Sequence, residues 1–434
     1  MKMFDYLLFN DRLGRLDTRE VEYWQMMFRK ILKVGEEFEV QVPQNRDLND
    51  VHEVFTRALN PSRSIHHHGQ HGVKEVMGDG SVPHGLEVVT VGKRFDWKTF
   101  YEMNERIMDT FNQNNIYTSH HTGMHIHLLA GYTNNDVTEL ERNVPEIILA
   151  NFYQLHRIFA PELYWIASGG CQDYAITRYM LFRRPPFDFS ATNTPMKIIK
   201  SEMSERYGKY QMFNMNNAKF GSSRELSTFH VEVRHPDTHL SPAVSTALVA
   251  LEVALLHKAI DLSQCGIISI KQDEYDFKKL IFDRFVNFGT GDRESDSTEL
   301  TSEDTESLQI RTSALVRWLK GEIYNINPVA YDILKKIAVT PSSLMRIDGM
   351  SWAQIDEKIY TPRMIDRENV DKLLQMIVLQ QITDCSDGGV WIDEASERLR
   401  LPKEKTNQLL RDLGTQRIVT FDNELGGFMM KQIV

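Results

Sequence analysis

The stretch TGMHIHLLAG, from Thr122 to Gly131, constrains this chain more than any other. It reads as a strand, because Met124, Ile126 and Leu128 alternate with His125 and His127 and so point to opposite faces. Two histidines on one face of an apolar strand are either satisfied core residues or part of a site that handles metal or phosphate. Two other segments are built the same way. In GEEFEV, Glu37 and Glu39 alternate with Phe38 and Val40, and in FHVEVR, Glu232 and Arg234 alternate with Val231 and Val233. Three polar pairs, each on one face of an apolar strand, can meet in one sheet.

The chain has 434 residues, enough for two or three domains with their own cores. Its 41% hydrophobic and 25% charged content are those of an ordinary globular protein. No uninterrupted apolar run reaches the ~18 residues of a membrane span, and MKMFDYLLFNDRLGR lacks a signal-peptide cleavage region, so a cytoplasmic location is expected. Cys171, Cys265 and Cys385 are far apart and offer neither a disulfide framework nor a CxxC zinc pattern. A net charge of -10 argues against general binding to nucleic acid.

Taken in order, Asp17 and Glu20 form a capping-box pattern ahead of a helix with Val21, Trp24, Phe28, Ile31 and Leu32 on one face. Gly35 is expected to stop that helix and release the strand of Glu37 and Glu39. A loop follows with His66, His67, His68 and His71, read as surface or substrate-covering. Next, EVMGDGSVPHGLEVVTV reads as a Gly-rich turn opening a short strand that carries Glu87. Asp96 caps a helix leading to the histidine strand, and residues 138–160 read as a further helix. Arg178, Arg183 and Arg184 stand on either side of an aromatic-rich segment and read either as a solvated face or as a phosphate or carboxylate contact. Residues 205–234 read as two strands joined by a polar turn, and an apolar helix is expected from about Ala243 to Leu262.

Four regions are expected: residues 1–290 as a catalytic domain, an acidic linker or loop over 291–307, a helical region over 308–365, and a tail over 366–434. In the tail, helices at 367–383, 392–399 and 402–413 precede two strands joined through Asn423 to Gly427, which is winged-helix order. Lys403, Lys405 and Arg411 in its third helix are offset by Glu404 and Asp412, which suits protein docking at least as well as DNA.

A sheet face crowded with carboxylates needs cations, because like charges in one place repel and raise one another's pKa values. Oxygen ligands with one imidazole suit magnesium or manganese better than zinc. With an arginine nearby, that chemistry points to phosphoryl transfer from ATP without a P-loop, since no GxxxxGK[ST] occurs.

In the order of these motifs the chain resembles the carboxylate-amine ligases of the glutamine synthetase and glutamate-cysteine ligase superfamily. Those enzymes carry an ExE strand, two acids eight residues apart, a GMHxH strand and an ExR strand. Here the matching stretches are Glu37-Phe38-Glu39, then Asp79 and Glu87, then Gly123-Met124-His125-Ile126-His127, then Glu232-Val233-Arg234. Within the superfamily the pattern is most similar to the amidoligase family of bacteria and their phages, over roughly residues 30–262. The resemblance implies an α+β fold with a glutamine synthetase-like antiparallel half-barrel and flanking helices. It makes Glu37, Glu39, Asp79, Glu87, His125 and Glu232 the magnesium ligands, and it sets His127, Arg234 and Asn214 beside ATP or substrate, with His127 and Arg234 in catalysis. It further implies that ATP phosphorylates a carboxylate of a small molecule, peptide or protein, and that an amine then attacks the acyl phosphate. Asp79 is shorter than the usual glutamate, and His235-Pro236 stands where many relatives continue an apolar strand. Two alternatives use the same residues differently: a guanidino-kinase-like phosphotransferase, and an inert binding or assembly protein acting through its tail. A protein partner on the tail and a homo-oligomer are both compatible with the sequence.

Overall fold

The alternation of polar and apolar residues is realised in an antiparallel sheet whose two faces differ in character. The computed structural model describes residues 6–10, 14–59, 72–118, 122–131, 140–168, 212–215, 218–220, 225–271, 302–339 and shorter stretches elsewhere, including 419–422 and 427–430. The chain divides into two compact units, Met1–Thr361 and Pro362–Val434. His66, His67, His68, His71, Arg178, Arg183, Arg184 and residues 291–301 lie outside the described residues.

Helix α1 (Thr18–Ile31) begins at the expected capping box: Glu20 N donates to Asp17 Oδ1 at 2.8 Å and Asp17 N donates to Glu20 Oε2 at 3.1 Å. The helix stops before Gly35 is reached. Leu32 turns extended at φ −61°, ψ 125°, and pairing starts at once with Lys33 opposite Leu129, so Gly35 lies inside a strand. Ladder hydrogen bonds from Lys33 onward thus decide the boundary, and the glycine does not.

After a short strand β1 (Leu7–Asn10), which pairs with β10 (Ile267–Ile270), the main sheet is built from β2 (Lys33–Gln41), β3 (Val73–Asp79), β4 (Gly85–Thr90), β5 (Met124–Ala130), β6 (Val144–Pro145) and β9 (Glu225–Val233). Its order is β3-β4-β2-β5-β9-β6, and the two-residue strands β7 (Phe213–Asn214) and β8 (Lys219–Phe220) also pair with β9. The single strand expected around Glu87 is therefore the second arm of a hairpin. Its turn needs Gly85, where a Cβ would lie 2.4 Å from Val82 Cβ. Of the two strands expected over 205–234, the second is β9; among the described residues before it, the two-residue β7 and β8 pair with β9, and most of the rest of that span lies outside the described residues.

The apolar face carries Val34, Phe38, Val40, Leu86, Val88, Met124, Ile126, Leu128, Phe229, Val231 and Val233, all buried. It is covered by α1, by α3 (Trp97–Gln113) and by α6 (Pro242–Leu262), with Phe28 of α1 edge-on to Phe229 at 5.3 Å. Asp96 caps α3 through Thr99 N at 3.0 Å, and Ser241 caps α6 through Val244 N at 3.1 Å. Helix α6 is long and apolar enough to cross a membrane by length and mean hydropathy, although Ser245, Thr246, Glu252, His257, Lys258 and Asp261 interrupt its apolar residues. Of its most apolar 18-residue window 94% is buried inside the protein, with apolar residues all round its circumference, as a central core helix requires.

Helix α2 (Leu48–Leu59) packs on β3. The helix expected over 138–160 starts only at Glu146, because Val144 and Pro145 pair with β9. It forms α4 (Glu146–Ile158) and is followed by α5 (Ala160–Ser168). The acidic stretch also ends earlier than its composition suggests: α7 (Ser302–Trp318) takes Glu303 and Asp304 into its first turn, where negative charge is favourable. Helices α8 (Lys320–Ile326) and α9 (Pro328–Ile337) pack on α6 within the first unit. In the second unit β11 (Val419–Asp422) and β12 (Gly427–Met430) form an antiparallel hairpin. The tail helices expected before it fall largely outside the described residues.

Candidate active site

Register brings the polar pairs together. Glu37 lies opposite His125, Glu39 opposite Glu87, and His127 opposite Glu232. Because alternate residues share a face, four neighbouring strands, β4, β2, β5 and β9, deliver Glu37, Glu39, Glu87, His125, His127 and Glu232 to one side of the sheet. Asn214 on β7 joins them opposite Glu232.

His125 is at the centre. Its Nδ1 lies 3.1 Å from Glu37 Oε2 and 3.4 Å from Glu232 Oε1, and its Nε2 lies 3.3 Å from Glu39 Oε1. His127 Nε2 lies 3.0 Å from Glu37 Oε1. Asn214 Nδ2 donates to Glu232 Oε2 at 2.7 Å, while the Arg234 guanidinium pairs with the other oxygen, Glu232 Oε1. Glu39 is held from both ends: Gly123 N donates to its Oε2 at 3.0 Å and Thr238 Oγ1 to its carbonyl at 2.8 Å.

The electrostatics are those of crowded carboxylates sharing a few cations. Burial raises Glu87, and the charges of Glu37 and Asp79 push it further, to about 8. Burial also works against ionised Glu37 and Glu232, yet the imidazoles of His125 and His127 hold Glu37 low, and His125 with Arg234 holds Glu232 low. Burial and Arg234 lower His125.

Asp79 stands apart from the rest. Its Oδ1 accepts from Ser81 N and Ser81 Oγ, each at 2.7 Å, whereas its Oδ2 is buried without a hydrogen-bond partner. It acts on the cluster through its charge on Glu87. Two further residues escaped the sequence reading. His230 lies two residues before Glu232 on the same face, and its Nε2 is 3.0 Å from His127 Nδ1; extending the alternation of FHVEVR by one step reaches it. Glu36 is on the opposite, apolar face, where Asn104 Nδ2 donates to its Oε1 at 3.1 Å.

The donor set suits a divalent cation. The ring Nε2 atoms of His125 and His127 are buried near carboxylate oxygens without aligned hydrogen bonds. Ligand atoms of Glu37, Glu87 and His125, and likewise of Glu37, His127 and Glu232, lie within 4.8 Å of one another. Carboxylate oxygens dominate both groups, which favours magnesium or manganese.

No family model matches the chain, and no curated protein matches it. Among solved structures, a bifunctional glutathione synthetase from Pasteurella multocida is similar at 11% identity and a TM-score of 0.40, covering 80% of this chain and 51% of that one. The present chain thus spans about half of that enzyme's length. The complex of the prokaryotic ubiquitin-like protein Pup with its ligase PafA is similar at 12% identity and a TM-score of 0.34, covering 93% of this chain and 87% of that one. Likenesses this distant leave the argument with the sheet and its side chains.

Proposed function

We propose that this chain is a cytoplasmic ATP- and magnesium-dependent carboxylate-amine ligase of the amidoligase type. The observation that carries the reading is the convergence of Glu37, Glu39, Glu87, His125 and Glu232 on one sheet face, with Arg234, the residue just past the end of β9, paired to Glu232. Glu37, Glu39, Glu87, His125 and Glu232 would hold magnesium, with Asp79 at the margin. Bound there, magnesium would neutralise phosphate charge and polarise the γ-phosphoryl group of ATP.

The reaction that fits has two steps. A substrate carboxylate oxygen bonds to the γ-phosphorus of ATP as the bond to ADP breaks, giving an acyl phosphate. An amine nitrogen then bonds to the acyl carbon, inorganic phosphate leaves, and the nitrogen gives up its proton. Arg234 supplies a fixed positive charge for the transferring phosphoryl group, oriented by its pairing with Glu232. Asn214 holds Glu232 in place from the other side. His127, with Nδ1 against His230 and Nε2 against Glu37, is the residue we assign to stand beside phosphate or substrate once a cation takes up Glu37. No side chain needs to act as a nucleophile, because positioning and charge neutralisation suffice.

The test is hydroxylamine trapping. Wild-type protein incubated with magnesium, ATP, hydroxylamine and a panel of amino-acid and peptide carboxylates should release ADP and form a hydroxamate with at least one acid. Arg234→Ala should form none. ADP release accompanied by a stable phosphorylated product, with no hydroxamate, would instead assign the site to a phosphotransferase.

A further inference from the structure

A second cluster of metal-ligating side chains lies away from the carboxylate face, in the layer of helices. His156 on α4, Glu252 on α6 and His235 just beyond β9 are all buried, and one ligand atom from each lies within 4.8 Å of the others. His156 Nε2 is 2.7 Å from Glu252 Oε2, and His235 Nε2 is 3.6 Å from Glu252 Oε1. The other nitrogen of His156 is engaged: Nδ1 is 2.8 Å from Phe152 O, a carbonyl that only accepts, so Nδ1 carries a proton. In a neutral ring Nε2 then presents a lone pair to a carboxylate oxygen, a repulsion that a proton on Nε2 or a metal ion bound by both atoms relieves.

A proton on Nε2 would satisfy that one contact. It leaves His235 unexplained. Both ring nitrogens of His235 are buried without a hydrogen-bond partner, as is Glu252 Oε1. An imidazole buried in this way loses its hydrogen bonds to water and gains none in exchange. A single divalent ion accounts for His156, His235 and Glu252 together.

We propose that His156, His235 and Glu252 form a buried zinc site distinct from the carboxylate cluster. Two imidazoles and one carboxylate suit zinc better than magnesium, which takes oxygen ligands. The carbonyl contact to His156 Nδ1 is the outer support that zinc-bound imidazoles commonly have, since it fixes the tautomer and aims Nε2 inward. The ion would tie α4 and α6 to the residue that follows Arg234, and so would brace the end of β9 where the phosphoryl-binding arginine is expected to work. The site stands on its own geometry and does not depend on the ligase reading.

The test uses the full chain, stripped with chelator, loaded with zinc chloride in excess magnesium, and freed of loose metal by gel filtration. Metal analysis should find about one zinc per chain in wild type and in Glu37→Gln, and a loss of that zinc in His235→Ala and His156→Gln. Wild-type protein loaded with cobalt(II) instead should show the visible bands of a tetrahedral site with nitrogen ligands, and that result needs no variant to fold. Wild type without retained zinc and without those bands would overturn the proposal. So would zinc kept by folded His235→Ala, or zinc lost from folded Glu37→Gln, which would assign the ion to the carboxylate face.

Discussion

Glu36 shows how one residue can report on a buried environment independently of any catalytic role. It lies on the apolar face with Val34 and Phe38, and burial raises its carboxyl from an ordinary 4.5 to about 8, against a smaller lowering from Asn104. Between those values the folded chain holds a proton that the unfolded chain has released, so stability falls as pH rises from about 5 to 8. Urea unfolding in chelator-containing buffer should show this slope. Glu36→Gln should reduce it by the share of one carboxyl, leaving the share of Glu87, and stabilise the fold near pH 7 by on the order of 3 kcal/mol. Parallel slopes for the two proteins would contradict a protonated Glu36. On the other face, Arg234→Lys keeps the charge but loses the planar fork paired with Glu232. In the trapping assay it should lower kcat by about 100-fold with a smaller change in KM.

At the scale of elements, the strands were legible because a half-buried sheet enforces a period of two. The same rule explains what was read and what was missed. Glu37 and Glu39 stand out in GEEFEV because they alternate with Phe38 and Val40. Glu36 does not, because nothing in the local pattern marks a carboxylate as facing the core. Helix starts were legible where a side chain caps them, as at Asp17 and Asp96, and illegible where tertiary pairing intervened, as at Val144-Pro145. Asp96→Ala should therefore cost ~1 kcal/mol in chemical denaturation, because both Thr99 N and Thr99 Oγ1 donate to Asp96 Oδ1. An unchanged midpoint would show that packing alone holds α3. The cluster of His156, His235 and Glu252 was not legible at all, since its members come from three elements joined only in the folded chain.

For the whole molecule, the architecture separates two tasks. The apolar face of the sheet and the buried helix α6 supply stability, which frees the other face to hold repelling carboxylates at a cost the core can absorb. Such a face is least stable without a cation, so ligand binding should feed back on the whole fold. The decisive measurement is a thermal-shift titration with magnesium and a non-hydrolysable ATP analogue, on wild type and on Glu232→Ala. At about 100 times its dissociation constant, a ligand stabilises the folded state by about 2.7 kcal/mol, a readily visible shift. The account predicts a rise in Tm for wild type with both ligands present and none for the variant. No rise for wild type, with the variant folded, would contradict a magnesium-nucleotide site on this sheet.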